Sequence, residues 1–84
     1  MLDSEELACG LLEILREQYE PMLRERYKLT GELPENAYEL LEHIGRKRGM
    51  LISGGEVNLE RASIMLLDEF RGGKLGRITL ERPR

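Results

Sequence analysis

This chain of 84 residues is short of the groups that most protein chemistry uses: one cysteine, one histidine, one phenylalanine, three tyrosines and three prolines. Cys9 alone cannot close an internal disulfide, which fits a reducing compartment, and with no nucleophile signature around it Cys9 reads as a bystander. His43 has no second histidine or cysteine at ligand spacing, so it is expected at the surface or half-buried and not in a metal site. There is no serine–histidine–acid set in recognisable context, no cysteine pair and no helix carrying two histidines. The many carboxylates read as solvated helix faces, because a catalytic pair needs a cleft that a domain this small is not expected to form. No apolar run approaches the roughly 20 residues that span a bilayer, and the acidic N-terminus does not resemble a signal peptide. These absences argue against a free-standing enzyme, a disulfide scaffold and a membrane protein. They leave a cytoplasmic binding module, expected as a monomer without cofactor or metal.

What is present is charge and helical period. One domain is all the length allows, and without disulfides its stability should be marginal. The net charge of −3 hides an asymmetry. Residues 1–42 hold eleven acids against four bases, and residues 43–84 hold five against nine. A basic second half is a mild pointer to a polyanion partner.

Four helices are expected. Asp3 or Ser4 caps the first, with Glu5 and Glu6 at its positive dipole end. Leu7, Ala8, Leu11, Leu12, Ile14, Leu15 and Tyr19 form its inward arc, opposite Glu6, Glu13, Arg16 and Glu17. Pro21 opens a short second helix, with Met22, Leu23 and Tyr27 inward and Arg24 and Arg26 outward. Residues 29–34 form a connection that Leu33 pins to the core. Asn36 and Glu39 make a capping-box pattern for the third helix, whose inward stripe is Tyr38, Leu41 and Ile44 with Leu40 beside it. Arg46, Lys47 and Arg48 close that helix before Gly49. Such cations complement the negative dipole end, and equally suit a nucleic-acid contact.

Residues 50–52 are apolar and too short for a helix, so they are expected to cross the core in extended form. Ser53, Gly54 and Gly55 turn the chain into a cap at Asn58. A glycine turn before a helix can cradle phosphate, but no G-x-x-x-x-G-K-[ST] is present and Glu56 puts negative charge at the mouth, so a tight turn is the better reading. The fourth helix is the most strongly patterned. Leu59, Ala62, Ser63, Leu66, Leu67 and Phe70 share one face, and Glu60, Arg61, Asp68 and Arg71 the other. Gly72 and Gly73 end it. Lys74, Gly76 and Arg77 then form a glycine-rich basic tail, and residues 78–80 a short extended segment able to dock back on the core.

Three segments in register are more specific than any of these signals alone. Residues 44–49 (IGRKRG), 53–62 (SGGEVNLERA) and 70–78 (FRGGKLGRI) resemble the C-terminal domain of the ribosome biogenesis GTPase A family, circularly permuted GTPases of the YlqF/RbgA type. Arg26-Tyr27, Leu33-Pro34-Glu35 and Glu39-Leu40-Leu41-Glu42 match it too, and the resemblance covers roughly residues 7–81. Many members carry cysteine where Met50 stands and aspartate where Asn58 stands; methionine still packs and asparagine still caps.

The resemblance implies an all-α domain, a bundle of about four helices likened to ANTAR-type RNA-binding domains, spanning residues 1–81 with a disordered tail at 82–84. It implies a module that follows a GTPase domain and helps the parent engage the large ribosomal subunit late in assembly. No P-loop, Walker-type acid or guanine-specificity motif is present, so GTP and Mg belong to a GTPase domain absent from this chain. Met1 then reads as the start of a piece cut from a longer protein. Candidate RNA contacts are Arg46, Lys47, Arg48, Arg71, Lys74 and Arg77, all near helix C-termini or in glycine-rich connections from which long basic side chains reach phosphate. With few aromatics, and those claimed by packing, recognition should be by shape and phosphate on folded 23S-type rRNA and not by base stacking. The alternative is a protein–protein module whose acidic first helix meets a basic ribosomal protein or the parent's GTPase domain.

Overall fold

A computed structural model of the chain describes residues 3–75. Among the described residues there are four helices: α1 Ser4–Gln18, α2 Glu20–Tyr27, α3 Ala37–Lys47 and α4 Leu59–Arg71. No strand occurs among the described residues, so the class is all-α. The proposed extended segment at 78–80 and the tail at 82–84 lie outside the described residues.

The caps fall where the side chains predict them. Asp3 accepts from the Glu6 N–H at 2.9 Å, Asn36 from the Tyr38 and Glu39 N–H groups at 2.7 and 3.2 Å, and Asn58 from the Arg61 N–H at 3.0 Å. Each satisfies a first-turn donor that would otherwise lack a partner. Tyr19 separates α1 from α2, and Pro21 lies in the first turn of α2. Gly73, at φ 73°, takes the left-handed conformation just past α4, while Gly72 stays right-handed. α2 ends differently: Lys28 is its C-cap at φ 54°, the one non-glycine positive φ among the described residues.

α1 packs on both α3 and α4, which pack on each other, and α2 returns against α1. Leu12, Leu15, Leu23, Leu40, Leu41, Ile44 and Leu66 are sealed at the centre, and Leu33 and Leu75 close the core from the connections. Ser63 is also fully buried, its hydroxyl donating to the Leu59 carbonyl one turn back at 2.7 Å. Gly45 is a point of close approach. A Cβ there would stand 2.6 Å from Val57 Cγ1 and 3.1 Å from Ala62 Cβ, so α3 rests on the entry to α4 through bare backbone.

Several inward assignments need correction. Leu7 and Ile14 are 47% and 37% exposed, because α1 is covered only along the Ala8–Leu11–Leu12–Leu15 stripe. Tyr38 is exposed and Ala37 is buried instead, beside Leu40, Leu41 and Ile44, a rotation of the buried face of α3 by about one residue. Arg16 is half-buried, and its Nη2 donates to the Leu33 carbonyl at 3.4 Å. Residues 50–52 do not cross the core. Leu51 pairs with Val57 in an isolated antiparallel bridge, and Ile52 N–H donates to the Glu56 carbonyl at 2.7 Å, leaving Leu51 and Ile52 about half exposed. The positive φ of Gly54 and Gly55 makes that reversal possible. Two glycines so close together pull the chain into a hairpin before it can traverse the bundle.

Candidate nucleic-acid interface

The C-terminal ends of α2, α3 and α4 converge on one carboxylate. Glu69, in the last turn of α4, accepts two bonds from Arg26, from Nε at 3.2 Å and Nη2 at 3.0 Å. It also accepts from the Tyr27 hydroxyl at 2.8 Å and from Arg48 Nη1 at 3.3 Å. The Arg48 guanidinium lies over the Tyr27 ring, 4.9 Å from its centroid, a cation–π contact worth about 0.5–1 kcal/mol at an exposed site. Depth matters here: the Glu69 side chain is 12% exposed, against 33% and 31% for Arg26 and Arg48. The acid is the floor of the cluster and the guanidiniums are its rim.

The electrostatics follow from this arrangement. Burial alone would raise the Glu69 carboxyl, but hydrogen bonds from Arg26 and Tyr27 and the charges of Arg48 and Arg26 hold it below the usual carboxylate range. Burial, then the bond to Glu69, pushes the Tyr27 hydroxyl well above its ordinary value, so it stays a donor. The hydrogen bond to Glu69 likewise raises Arg26.

Two clefts open beside the cluster. One, of about 500 Å³, is lined by Arg26, Tyr27, Lys28, Lys47 and Arg48. The other, of about 470 Å³, is lined by Met22, Glu25, Arg26, Lys28, Lys74 and Leu75. Arg26 and Lys28 line both. The left-handed cap at Lys28 ends α2 and sends the chain back to the core at Leu29, with the lysine itself exposed at the junction.

The residues expected from sequence divide. Lys47, Arg48 and Lys74 line the clefts. Arg46 is exposed but turned to the glycine hairpin, 3.5 Å from the Gly55 carbonyl. Arg71 is exposed and lines neither cleft. Arg77 lies outside the described residues. Arg26 and Lys28 were missed because they sit in the acidic half of the chain. Arg26, read as pointing outward, instead folds onto α4. Glu69 carried no signal of its own, since nothing in a helical wheel says that three helix ends will meet at one position.

A third cleft, of about 470 Å³, has the opposite sign, with Asp3, Glu5, Glu6, Glu13 and Glu35 around Cys9. The Tyr38 hydroxyl donates to Glu5 there at 3.1 Å. Burial, followed by Glu5, Glu13 and Asp3, raises the Cys9 thiol, which removes the thiolate that reactivity needs. Among the described residues no group of three or more histidine, cysteine or acidic side chains could hold a metal ion. No helix among them is long and apolar enough to cross a membrane.

No protein-family model matches the chain. Similarity to individual proteins is extensive. Ribosome biogenesis GTPase A of Bacillus cereus is 40% identical over 83 residues, which is 99% of this chain and 28% of that protein. The protein of the same name from Bacillus pumilus is 36% identical over 83 residues, again 99% of this chain and 29% of its own length. Nucleolar GTP-binding protein 2 of Yarrowia lipolytica is 38% identical over 68 residues, 70% of this chain and 13% of its own. The chain therefore spans less than a third of these relatives, and in the first two it matches the C-terminal part.

Proposed function

From its relationship, along nearly its whole length, to the C-terminal part of ribosome biogenesis GTPase A, we propose that this chain is a non-catalytic docking domain. It seats a parent GTPase on the large ribosomal subunit precursor by contacting rRNA, in the cytoplasm. GTP and Mg serve the parent's GTPase domain and have no role in the helical module.

One observation carries the reading: cations from three separate stretches, Arg26 with Lys28, Lys47 with Arg48, and Lys74, line two clefts that share a wall. Long basic side chains around a concave, aromatic-poor surface suit the phosphate backbone of folded RNA better than unstacked bases. Arg26 and Lys28 replace Arg46 and Arg71 at the centre of the interface, and Lys47, Arg48 and Lys74 remain. The test is binding of the chain to large-subunit precursor particles across a salt series. Reversing Lys28, Lys47 and Lys74 together should nearly abolish binding, and each lost phosphate contact should lower the salt slope by roughly 0.7–0.9. Reversing Arg46 and Arg71 together should do much less. Equal losses from both sets would refute the placement, and no loss from either would refute RNA docking.

A second reading has its own observation. The acidic cleft between the N-terminal ends of α1 and α3 has the charge to receive a basic segment of a ribosomal protein or of the parent's GTPase domain. Its mark is binding that resists RNase and disappears on reversing Glu5, Glu6 and Glu13.

A further inference from the structure

An acid at the centre of a cationic surface is the least expected feature of this molecule. Glu69 lowers the net charge of the surface that RNA would approach, and simple electrostatics counts it as a liability. Its geometry says otherwise. Arg26 presents its Nε–Nη2 edge to Glu69, so its Nη1–Nη2 end remains directed elsewhere. Arg48 uses Nη1, which leaves its Nε–Nη2 edge. Both remaining edges are forks of the kind that match two oxygens of a phosphate. The ring of Tyr27 backs the Arg48 plane, and the Tyr27 hydroxyl shares the same carboxylate. Two arginines that would repel each other in water are thereby held side by side, over an acid too deep to meet the ligand. Lys28 and Lys47 stand on the wall of the same cleft.

We propose that Arg26 and Arg48, locked by Glu69 and Tyr27, form a seat for one RNA backbone phosphate in the cleft between the ends of α2 and α3, with Glu69 as its positioning residue. This rests on the RNA-docking reading and sharpens it. General attraction comes from the lysines, and one phosphate is fixed in register by two preset forks. A side chain already held in its bound geometry loses less freedom on binding than one that must be ordered by the ligand.

The experiment uses the full chain, an RNA hairpin duplex and a fluorescence-anisotropy titration over a salt series, with thermal melts to verify folding. Glu69→Gln removes a negative charge yet should weaken binding about tenfold, because both forks lose their anchor. Arg48→Lys keeps the charge and removes the fork. It should weaken binding comparably at moderate salt while leaving the long-range attraction, and it stands as the test if the Glu69 variant does not fold. In NMR spectra of the side-chain Nε–H groups, Arg26 and Arg48 should shift on adding the hairpin, a response that a purely structural ion pair would not give. Tighter binding by the Glu69 variant, or unchanged binding by Arg48→Lys, would overturn the seat. If Lys28→Glu with Lys47→Glu still abolished binding in that case, RNA docking would stand without it. No binding by the unaltered chain would overturn both.

Discussion

Replacing Gly45 by alanine tests whether the contact that carries the cationic end of α3 is as tight as it looks. On helix propensity alone, alanine should stabilise an interior helical position by about 1 kcal/mol. Against this, the new Cβ would stand 2.6 Å from Val57 Cγ1 and 3.1 Å from Ala62 Cβ, where carbon atoms prefer about 3.5–4.0 Å. Neither neighbour yields easily. Val57 is β-branched, stiff at χ1, and held between its bridge to Leu51 and the cap at Asn58. Overpacking costs about 1–3 kcal/mol, and a 2.6 Å approach to a stiff side chain belongs in the upper half of that range, so after the helix gain the net expectation is a loss of about 1–2 kcal/mol. For a domain of this size that lowers the melting midpoint by about 4–16 °C. Thermal unfolding followed by circular dichroism measures it. The diagnostic is the double variant: with Val57→Ala in place the closest contact is gone, and the Gly45→Ala penalty should fall by at least about 1 kcal/mol, a coupling within the range for touching residues. A raised midpoint in the single variant, or an undiminished penalty in the double, would refute the close-approach argument.

Other expectations concern the charged face and the thiol. Because Glu69 is depressed, its contribution to stability is present above the ordinary carboxylate value of about 4.3 and is lost as pH falls through the lower folded value. Urea midpoints against pH should show an acid limb that flattens in Glu69→Gln. Tyr27 behaves in the opposite sense. Its raised hydroxyl gives stability that is present below pH about 10 and lost as pH rises toward the folded value, and Tyr27→Phe should flatten that alkaline limb. Lys28→Gly should stabilise the fold by about 0.5–1 kcal/mol by relieving a left-handed side chain, while weakening RNA binding. A variant that gained both would refute the link between that strained cap and the interface. Cys9 should react with iodoacetamide more slowly than the same thiol in the urea-unfolded chain, and faster when Glu5 and Glu13 are both made glutamine.

Element identity was largely legible in the residues. Asp3, Asn36 and Asn58 announce three helix starts, Pro21 a fourth and Gly73 a stop, because caps and turns are local chemistry that needs no knowledge of the partner. The buried face was less so. Tyr38 sits at the edge of the apolar stripe of α3, and the way α1 and α4 pack on that helix buries Ala37 in its stead. Leu7 and Ile14 satisfy a helical wheel but stay 47% and 37% exposed. Residues 50–52 read as a core strand until the two glycines that follow are given their full effect. The cationic clefts were legible as a bias of charge and not as a map. Positive charge in the second half pointed to a polyanion, yet Arg26 and Lys28 come from the acidic half, and Glu69 is an organiser that charge counting treats as noise. Charge along a chain is one-dimensional, and a site built from three helix ends is not.

The way α4 ends bears on how the domain can be dissected. Lys74 N–H donates back to the Glu69 carbonyl at 2.9 Å, and the next residue, Leu75, is buried in the core at 4% exposure. The last described turn thus serves two masters, a wall of the cationic cleft through one side chain and a plug in the bundle through its neighbour. Trimming the chain back to Gly73 would remove both together, so a deletion series ending there would confuse a protein that cannot grip its partner with one that no longer closes. Exchanging Lys74 singly, with Leu75 left in its socket, is what separates the two.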